Sequence, residues 1–174
     1  MSAIDYDLRK LRGVVFDVDG VLSPSTIPMS DDGVPMRMVN IKDGYAMQLA
    51  AKKGLRLAII TGAKTQSVIH RYNALGINDV YIGVALKRPV MERWMAEKSL
   101  APEEVAYVGD DIPDYEVMKM VGLPVAPADA ATEIKDAARY ISPREGGHGV
   151  ARDLLEQILK AKGEWLNAHD AFGW

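Results

Sequence analysis

Residues 14 to 21 read VVFDVDGV, an apolar run that ends in two carboxylates. The first three residues are typical of a short strand buried on both faces of a parallel sheet. Asp17 and Asp19 are two residues apart on a chain that leaves this strand, so both carboxylates are expected to point to the same side. Gly20 allows the backbone to turn sharply directly after them. At the carboxyl end of a strand, this side faces the crevice in which open α/β sheets bind ligands.

Two carboxylates held this close repel each other unless a cation neutralises them or they share a proton. Hard oxygen ligands of this kind suit Mg²⁺. The sequence therefore predicts a magnesium site at Asp17 and Asp19. The alternative from these residues alone is that both serve as turn or cap residues.

The rest of the chain alternates short apolar runs with amphipathic ones, which predicts a parallel sheet with helices on both sides. Strands are predicted at 55–60, 80–82 and 105–108, and more weakly at 124–126 and 140–141. Helices are predicted at 44–53, 65–75, 89–98, 114–121 and 150–162, the first with Asp43 as its N-cap and the second with Thr65. The predicted fold class is α/β, a Rossmann-like doubly wound sheet in a single domain over residues 1–174.

One segment interrupts the alternation. Residues 23–40 contain three prolines and an Asp32-Gly33 turn signal between two extended stretches. This pattern predicts a β-hairpin or flap directly after the first carboxylate strand. Near the C-terminus, residues 146–174 comprise a glycine-rich segment, a helix and an aromatic tail. The tail is either a loose end or a segment packed against another part of the protein.

Composition narrows the possible functions. The 174 residues carry 21 basic and 24 acidic side chains, and the net charge of −3 gives no reason to expect nucleic acid or an anionic membrane as a partner. The absence of cysteine excludes disulfides, thiolate nucleophiles and Cys-ligated zinc. Because no run of about 18 apolar residues occurs and residues 1–12 are polar, we expect a cytoplasmic protein without a membrane span.

Three further polar groups follow predicted strands. Thr61 ends one strand, and its hydroxyl can donate to a phosphate oxygen or make a local turn bond. Lys87 follows the next strand and precedes a helix opened by Pro89, where its ammonium can neutralise phosphoryl oxygens or remain a surface charge. Asp110 ends a third strand and can complete the metal site, while Asp111 and Asp114 can ligate, orient a water molecule or cap a helix. In a doubly wound sheet these strand ends meet in one crevice.

Taken together, these four groups resemble the four motifs of the haloacid dehalogenase-type phosphatases. The length leaves no room for a separate cap domain, so the resemblance is to cap-less members. It implies that Asp17 is the nucleophile, that Asp19 is the general acid, and that Thr61 and Lys87 bind phosphoryl oxygens. It further implies Mg²⁺ on Asp17, Asp110 and the backbone carbonyl of Asp19, with Asp111 and Asp114 in supporting positions.

Within that superfamily the chain is similar to the 3-deoxy-D-manno-octulosonate 8-phosphate phosphatases of lipopolysaccharide sugar synthesis. Residues 40–45, 107–123 and 146–152 carry the likeness. The resemblance implies a sugar-acid phosphate substrate and a Mg²⁺-dependent homotetramer, in which flaps pair across subunits and a neighbour's C-terminal segment closes the site. The candidate substrate-binding residues are Asn40, Ile41, Lys42, Asp43, Gly44, Gly62, Arg71, Lys87 and His148.

Two positions depart from that pattern. Ala63 and His148 stand where these phosphatases often carry arginine, and both changes remove a cation that can hold a substrate carboxylate. A phosphatase for nine-carbon, sialic-type sugar 9-phosphates is therefore the alternative. A phospho-receiver signalling domain is a second alternative, but the strand at 57–60 ends in Thr61 without the phosphoacceptor Asp that such domains place there. A protein that has lost catalysis is a third, and the complete set of motif residues argues against it.

Overall fold

Six parallel strands form one sheet in residues 3–167 and 169–173, the part of the chain that this computed structural model describes. The strands are β1 (Gly13–Phe16), β2 (Arg56–Ile60), β3 (Asp79–Tyr81), β4 (Val105–Val108), β5 (Leu123–Ala126) and β6 (Tyr140–Ile141). Their order is β3-β2-β1-β4-β5-β6, so β1 lies between β2 and β4. The strand order reverses next to β1, which creates the crevice at which such sheets bind ligands.

Helices cover both faces of the sheet. They are α1 (Ile41–Lys52), α2 (Gln66–Asn73), α3 (Lys87–Glu97), α4 (Tyr115–Met118), α5 (Thr132–Ala137) and α6 (Val150–Ala161). Along β1, Val14 and Phe16 are buried against α1, α2 and α6, whereas Val15 is buried against α3, α4 and α5. This alternation gives two hydrophobic cores, one on each side, and confirms the predicted doubly wound α/β fold. Among the described residues, no helix combines the length and apolar character needed to cross a membrane.

The predicted strands are all present, but several helix bounds differ from prediction. The first helix begins at Ile41, because the Asn40 side chain accepts hydrogen bonds from the backbone N–H groups of Lys42 and Asp43. The prediction of Asp43 as N-cap is therefore wrong. The third helix begins at Lys87 rather than Pro89. Thr65 is the N-cap of α2 as predicted.

Two further differences concern short helices. The predicted helix at 114–121 is a 3₁₀ turn, Ile112–Asp114, followed by α4, which ends at Met118. The helix α5 was not predicted, because only Ile134 of its six residues is buried and no period can be recognised in so short a run.

The flap, residues 23–40, forms a single antiparallel bridge between Met29 and Pro35. The backbone N–H of Ser30 donates to the carbonyl of Val34 at 2.9 Å, and that of Met36 donates to the carbonyl of Pro28 at 2.8 Å. The predicted hairpin is thus present only as this short bridge around the Asp-Gly turn. Several apolar side chains of the flap face solvent, among them Met29, Met36 and Met38.

The C-terminal tail docks on its own chain through residues 165 and 171. The Trp165 ring packs edge-on against Tyr45 with ring centres 6.0 Å apart, and the Arg152 guanidinium lies 4.7 Å from the Trp165 ring centre. The Tyr45 hydroxyl donates to the carbonyl of Ala171. Phe172 remains exposed, and Trp174 lies outside the described residues.

Candidate active site

Neighbouring strands bring the predicted site residues to one edge of the sheet. In the parallel register, Phe16 at the end of β1 lies beside Ile59 of β2 and Val108 of β4. The residues that follow these strands, including Asp17, Thr61 and Asp110, therefore emerge at the same edge.

Lys87 is the centre of a buried ion-pair network. Its Nζ lies 2.8 Å from Asp17 Oδ2 and 2.7 Å from Asp114 Oδ1, and the residue is only 5% exposed. The Tyr107 hydroxyl donates to the same Asp114 oxygen at 2.6 Å. Burial disfavours the charge of Lys87, but the two carboxylates outweigh burial and raise its pKa. Lys87 is therefore an internal ammonium at the first turn of α3 and not a solvated surface charge.

Carboxylate oxygens of Asp17, Asp110 and Asp114 lie within 4.8 Å of one another. Asp114 already has its oxygens engaged, because Oδ1 accepts from Lys87 and Tyr107 while Oδ2 accepts from the backbone N–H of Asp110 at 3.0 Å. Asp17 and Asp110 are therefore the side chains best placed to bind a metal ion. Asp114 instead forms the ion pair that holds Lys87.

The charges of this cluster favour a divalent cation. Burial, with help from Asp114, raises the pKa of Asp17 to about 6 against the opposing effect of Lys87. Burial together with Asp114 and Asp17 raises the pKa of Asp110 to about 8. Three carboxylates thus face one ammonium, and the excess negative charge is disfavoured in this buried place. A hard divalent ion such as Mg²⁺ fits this set of oxygen donors and would relieve the repulsion.

Glycine is required where two loops meet at the carboxylates. Gly20 has a φ of +80°, and a Cβ there would lie 1.8 Å from Asp110 Oδ2. Gly146 packs on this loop so closely that a Cβ would lie 2.0 Å from the carbonyl oxygen of Gly20. The backbone N–H of Gly147 donates to the carbonyl of Val21 at 2.8 Å. The glycine-rich segment near the C-terminus therefore supports the loop that carries Asp17 and Asp19.

The Asp19 side chain lies apart from the carboxylate cluster and pairs with the flap. Arg37 Nε donates to Asp19 Oδ1 at 2.7 Å and Arg37 Nη2 donates to Asp19 Oδ2 at 2.8 Å. Sequence reasoning missed Arg37. The available signal was that Arg37 is the only basic residue between Ser23 and Asn40.

Thr61 follows β2 and is 1% exposed. Its Oγ1 accepts a hydrogen bond from the backbone N–H of Ala63 at 3.1 Å, which is the local turn bond considered as an alternative. The hydroxyl proton remains available as a donor, so the turn bond and phosphate binding are compatible.

The predicted substrate residues fall into buried and exposed groups. Asp43 is 2% exposed, and its Oδ1 accepts from the backbone N–H of Arg152 at 2.7 Å. Gly44 is buried beside Arg71, since a Cβ at this position would lie 2.5 Å from Arg71 Nη2. Asn40 caps α1 and donates to the carbonyl of Gly147 at 3.2 Å. These contacts join α1 to α2 and to the glycine-rich segment.

The other predicted substrate residues are at the surface. Ile41, Lys42, Gly62 and His148 are exposed, and His148 Nδ1 lies 2.8 Å from the carbonyl oxygen of Gly146. Asn40, Ile41, Lys42 and His148 line an open groove of about 1070 Å³ between α1 and α6. The catalytic candidates Asp17 and Asp110 do not line it, so the groove and the carboxylate cluster are separate features.

Comparison of this sequence with known protein families identifies the broad class of protein. Residues 85–154 match the family described as haloacid dehalogenase-like hydrolase. The parallel sheet with its carboxylates at the ends of β1 and β4 fits this class, so the chain is a haloacid dehalogenase-like hydrolase.

Relatives with known names give the narrower family. The chain is 39% identical over 156 residues to 3-deoxy-D-manno-octulosonate 8-phosphate phosphatase KdsC of Escherichia coli K12. The match covers 90% of this chain and 83% of the relative. The chain is 37% identical over 152 residues to the Yersinia pestis protein of the same name, covering 87% and 81% of the two chains. The chain belongs to the family of 3-deoxy-D-manno-octulosonate 8-phosphate phosphatases.

Solved structures agree with this assignment. The crystal structure of the Yersinia pestis phosphatase has a TM-score of 0.87 at 35% identity and covers 91% of this chain and 85% of its own. A Moraxella catarrhalis phosphatase, solved in complex with a magnesium ion, a phosphate ion and 3-deoxy-D-manno-octulosonate, has a TM-score of 0.86 at 28% identity, with coverage of 95% and 93%.

Proposed function

We propose that this chain is a Mg²⁺-dependent phosphoric monoester hydrolase that converts 3-deoxy-D-manno-octulosonate 8-phosphate to the free sugar acid and phosphate. The observation that carries the proposal is the buried Asp17–Lys87–Asp114 network beside Asp110, in a chain that matches phosphatases of this name over most of their length. A phospho-receiver domain is not supported, because these relatives are enzymes that release phosphate.

In the proposed reaction, an Asp17 oxygen attacks phosphorus and a P–O bond forms while the bond from phosphorus to the sugar oxygen breaks. Asp19 gives a proton to the departing sugar oxygen. It then acts as a base toward the water molecule that hydrolyses the aspartyl-phosphate, which releases phosphate and restores Asp17. Lys87 and the Thr61 hydroxyl donate to the phosphoryl oxygens, where negative charge gathers in the transition state.

Mg²⁺ would be held by Asp17, Asp110 and the backbone carbonyl of Asp19, and it supplies charge neutralisation at the phosphoryl group. Asp114 keeps the Lys87 ammonium directed at the site through its 2.7 Å ion pair. Asp111 lies at the exposed edge of the cluster and takes a supporting role.

The experiment that tests the substrate is a phosphate-release assay with Mg²⁺. It compares kcat/KM for 3-deoxy-D-manno-octulosonate 8-phosphate, a nine-carbon sialic-type 9-phosphate and common hexose phosphates. We expect the eight-carbon acid to be preferred. A preference for the nine-carbon acid would favour the second candidate, whose support is the apolar, buried Ala63 directly after Thr61-Gly62. A flat profile would overturn the named substrate.

We also propose a homotetramer with one phosphatase domain per chain over residues 1–174. Its support is the flap, on which Met29 is 69% exposed and Met36, Met38 and Val39 are about half exposed, because apolar side chains grouped in this way favour burial against another subunit. Light scattering coupled to size exclusion would measure the mass, and a monomer would contradict the proposal. The cytoplasmic location stays a prediction.

A further inference from the structure

The flap makes one charged contact at the proposed site, and it makes it through Arg37. The Arg37 side chain is 11% exposed although most of the flap around it faces solvent. Its guanidinium bonds both oxygens of Asp19, at 2.7 and 2.8 Å, and Nη1 donates to Thr65 Oγ1 at 3.1 Å. The flap is thereby connected to the loop after β1 and to Thr65, the N-cap of α2.

This contact fixes the orientation of Asp19. Two parallel N–H···O bonds from a planar guanidinium hold a carboxylate in one plane and one rotamer. Among the residues that the structure describes, no other side chain is hydrogen-bonded to the Asp19 carboxylate, since Lys87 is engaged by Asp17 and Asp114. Without Arg37, no other side chain in this part of the chain would hold the Asp19 carboxylate in one orientation.

Water limits what this pair contributes to stability on the Asp19 side, although the Arg37 side chain is only 11% exposed. The Asp19 side chain is 37% exposed, and ion pairs with this much contact with water stabilise folded proteins weakly. Its position next to the proposed nucleophile loop therefore indicates a functional role.

We propose that Arg37 is a positioning residue that holds the Asp19 carboxylate in the resting site, and that one of its two bonds to Asp19 opens when that oxygen takes up the proton it gives to the departing sugar oxygen, which couples the placement of the flap to the chemical step. This inference rests on the proposed function. It predicts that the flap acts on catalysis through one guanidinium, independently of any contact that the flap makes with a neighbouring subunit.

The test uses two substrates that differ in their need for a proton. A sugar alkoxide is strongly basic and needs protonation as it leaves, whereas the nitrophenolate of p-nitrophenyl phosphate leaves without it. The value of kcat/KM reports steps up to formation of the aspartyl-phosphate, which is the half-reaction in which Asp19 serves as the acid. Wild type, Arg37→Met and Arg37→Lys are compared with both substrates.

For Arg37→Met we expect kcat/KM to fall about 30-fold with the sugar phosphate, a part of the contribution of a general acid, and by no more than about twofold with p-nitrophenyl phosphate. The fall should be mainly in kcat. Arg37→Lys should recover part of the loss, since it keeps the charge but not the two-pronged geometry. Arg88→Met, an exposed arginine paired with Glu92, is the matched control and should change neither value.

Equal losses with both substrates would overturn the inference, and so would an Arg37→Met enzyme as fast as wild type. Melting curves distinguish these results from unfolding, because the flap substitution should leave the melting temperature nearly unchanged. If wild type hydrolysed neither substrate, the proposed function itself would fail, which is a separate result from equal losses in an active enzyme.

Discussion

Replacing Asp43 by asparagine should change how stability depends on pH. Asp43 is 2% exposed in the first turn of α1, where Oδ1 accepts from the Arg152 N–H and Oδ2 has no hydrogen-bond partner. Burial raises its pKa from 3.8 to about 6, against a smaller lowering by Arg152. The folded protein therefore disfavours the ionised carboxylate relative to the unfolded chain.

The magnitude follows from this difference in pKa. Because the folded value is the higher one, the stabilisation from the neutral acid is complete below about pH 4 and is lost as the pH rises through about 6. The ionised group then lowers the free energy of unfolding by about 2 kcal/mol at pH 5 and by about 3 kcal/mol at pH 8. Asp43→Asn keeps the acceptor for Arg152 and carries no charge at either pH. Its stability relative to wild type should therefore increase by about 1 kcal/mol between pH 5 and pH 8.

The assay is urea denaturation of wild type and Asp43→Asn at pH 5 and pH 8, followed by circular dichroism. Asp136→Asn, which changes an exposed carboxylate on α5, is the control and should give the same difference from wild type at both pH values. A difference between Asp43→Asn and wild type that is independent of pH would refute the reasoning, because it would mean that Asp43 is not ionised at a cost in the folded state.

Three other substitutions test the site and the tail. Gly20→Ala places a Cβ on Asp110 at a φ of +80°, so Mg²⁺ affinity measured by calorimetry should fall about tenfold or more; unchanged affinity would contradict the close approach of the two loops. Lys87→Met leaves buried carboxylates without their ammonium, so turnover should be abolished and the free energy of unfolding, measured by urea denaturation, should fall by about 3 kcal/mol. Substitution of the neighbouring exposed arginine, Arg88→Met, should change neither quantity. Trp165→Ala removes the half-buried ring that docks the tail and should lower stability by about 2 kcal/mol; a melting temperature equal to that of wild type would show that the tail contributes nothing.

The strands could be predicted because their signal is local. Runs such as residues 14–16 and 105–108 are continuously apolar, which is what burial on both faces of a parallel sheet requires. Helix starts were harder to place. Asn40 and Asp43 are both good N-cap residues, and the apolar Ile41 between them is 69% exposed, so hydrophobicity did not mark the true start.

The candidate site also has a part that could be predicted from the sequence and a part that could not. Asp17, Thr61 and Asp110 follow strands, and the topology of a parallel sheet brings such residues together without any detailed packing. The contact of Arg37 with Asp19 depends on how an irregular flap folds back over 18 residues, and no periodic pattern in the sequence encodes it. The burial of Asp43 was likewise hidden, because it depends on α6 packing against α1.

The most direct test of the central claim is to find where the phosphoryl group is attached during turnover. Wild type would be mixed with Mg²⁺ and 3-deoxy-D-manno-octulosonate 8-phosphate, quenched in acid within milliseconds and digested for mass spectrometry, with Asp17→Asn as the matched control. We expect phosphate on the peptide that contains Asp17, and an Asp17→Asn protein that is folded but neither labelled nor active. Label on another residue, or turnover by folded Asp17→Asn at the wild-type rate, would contradict this expectation.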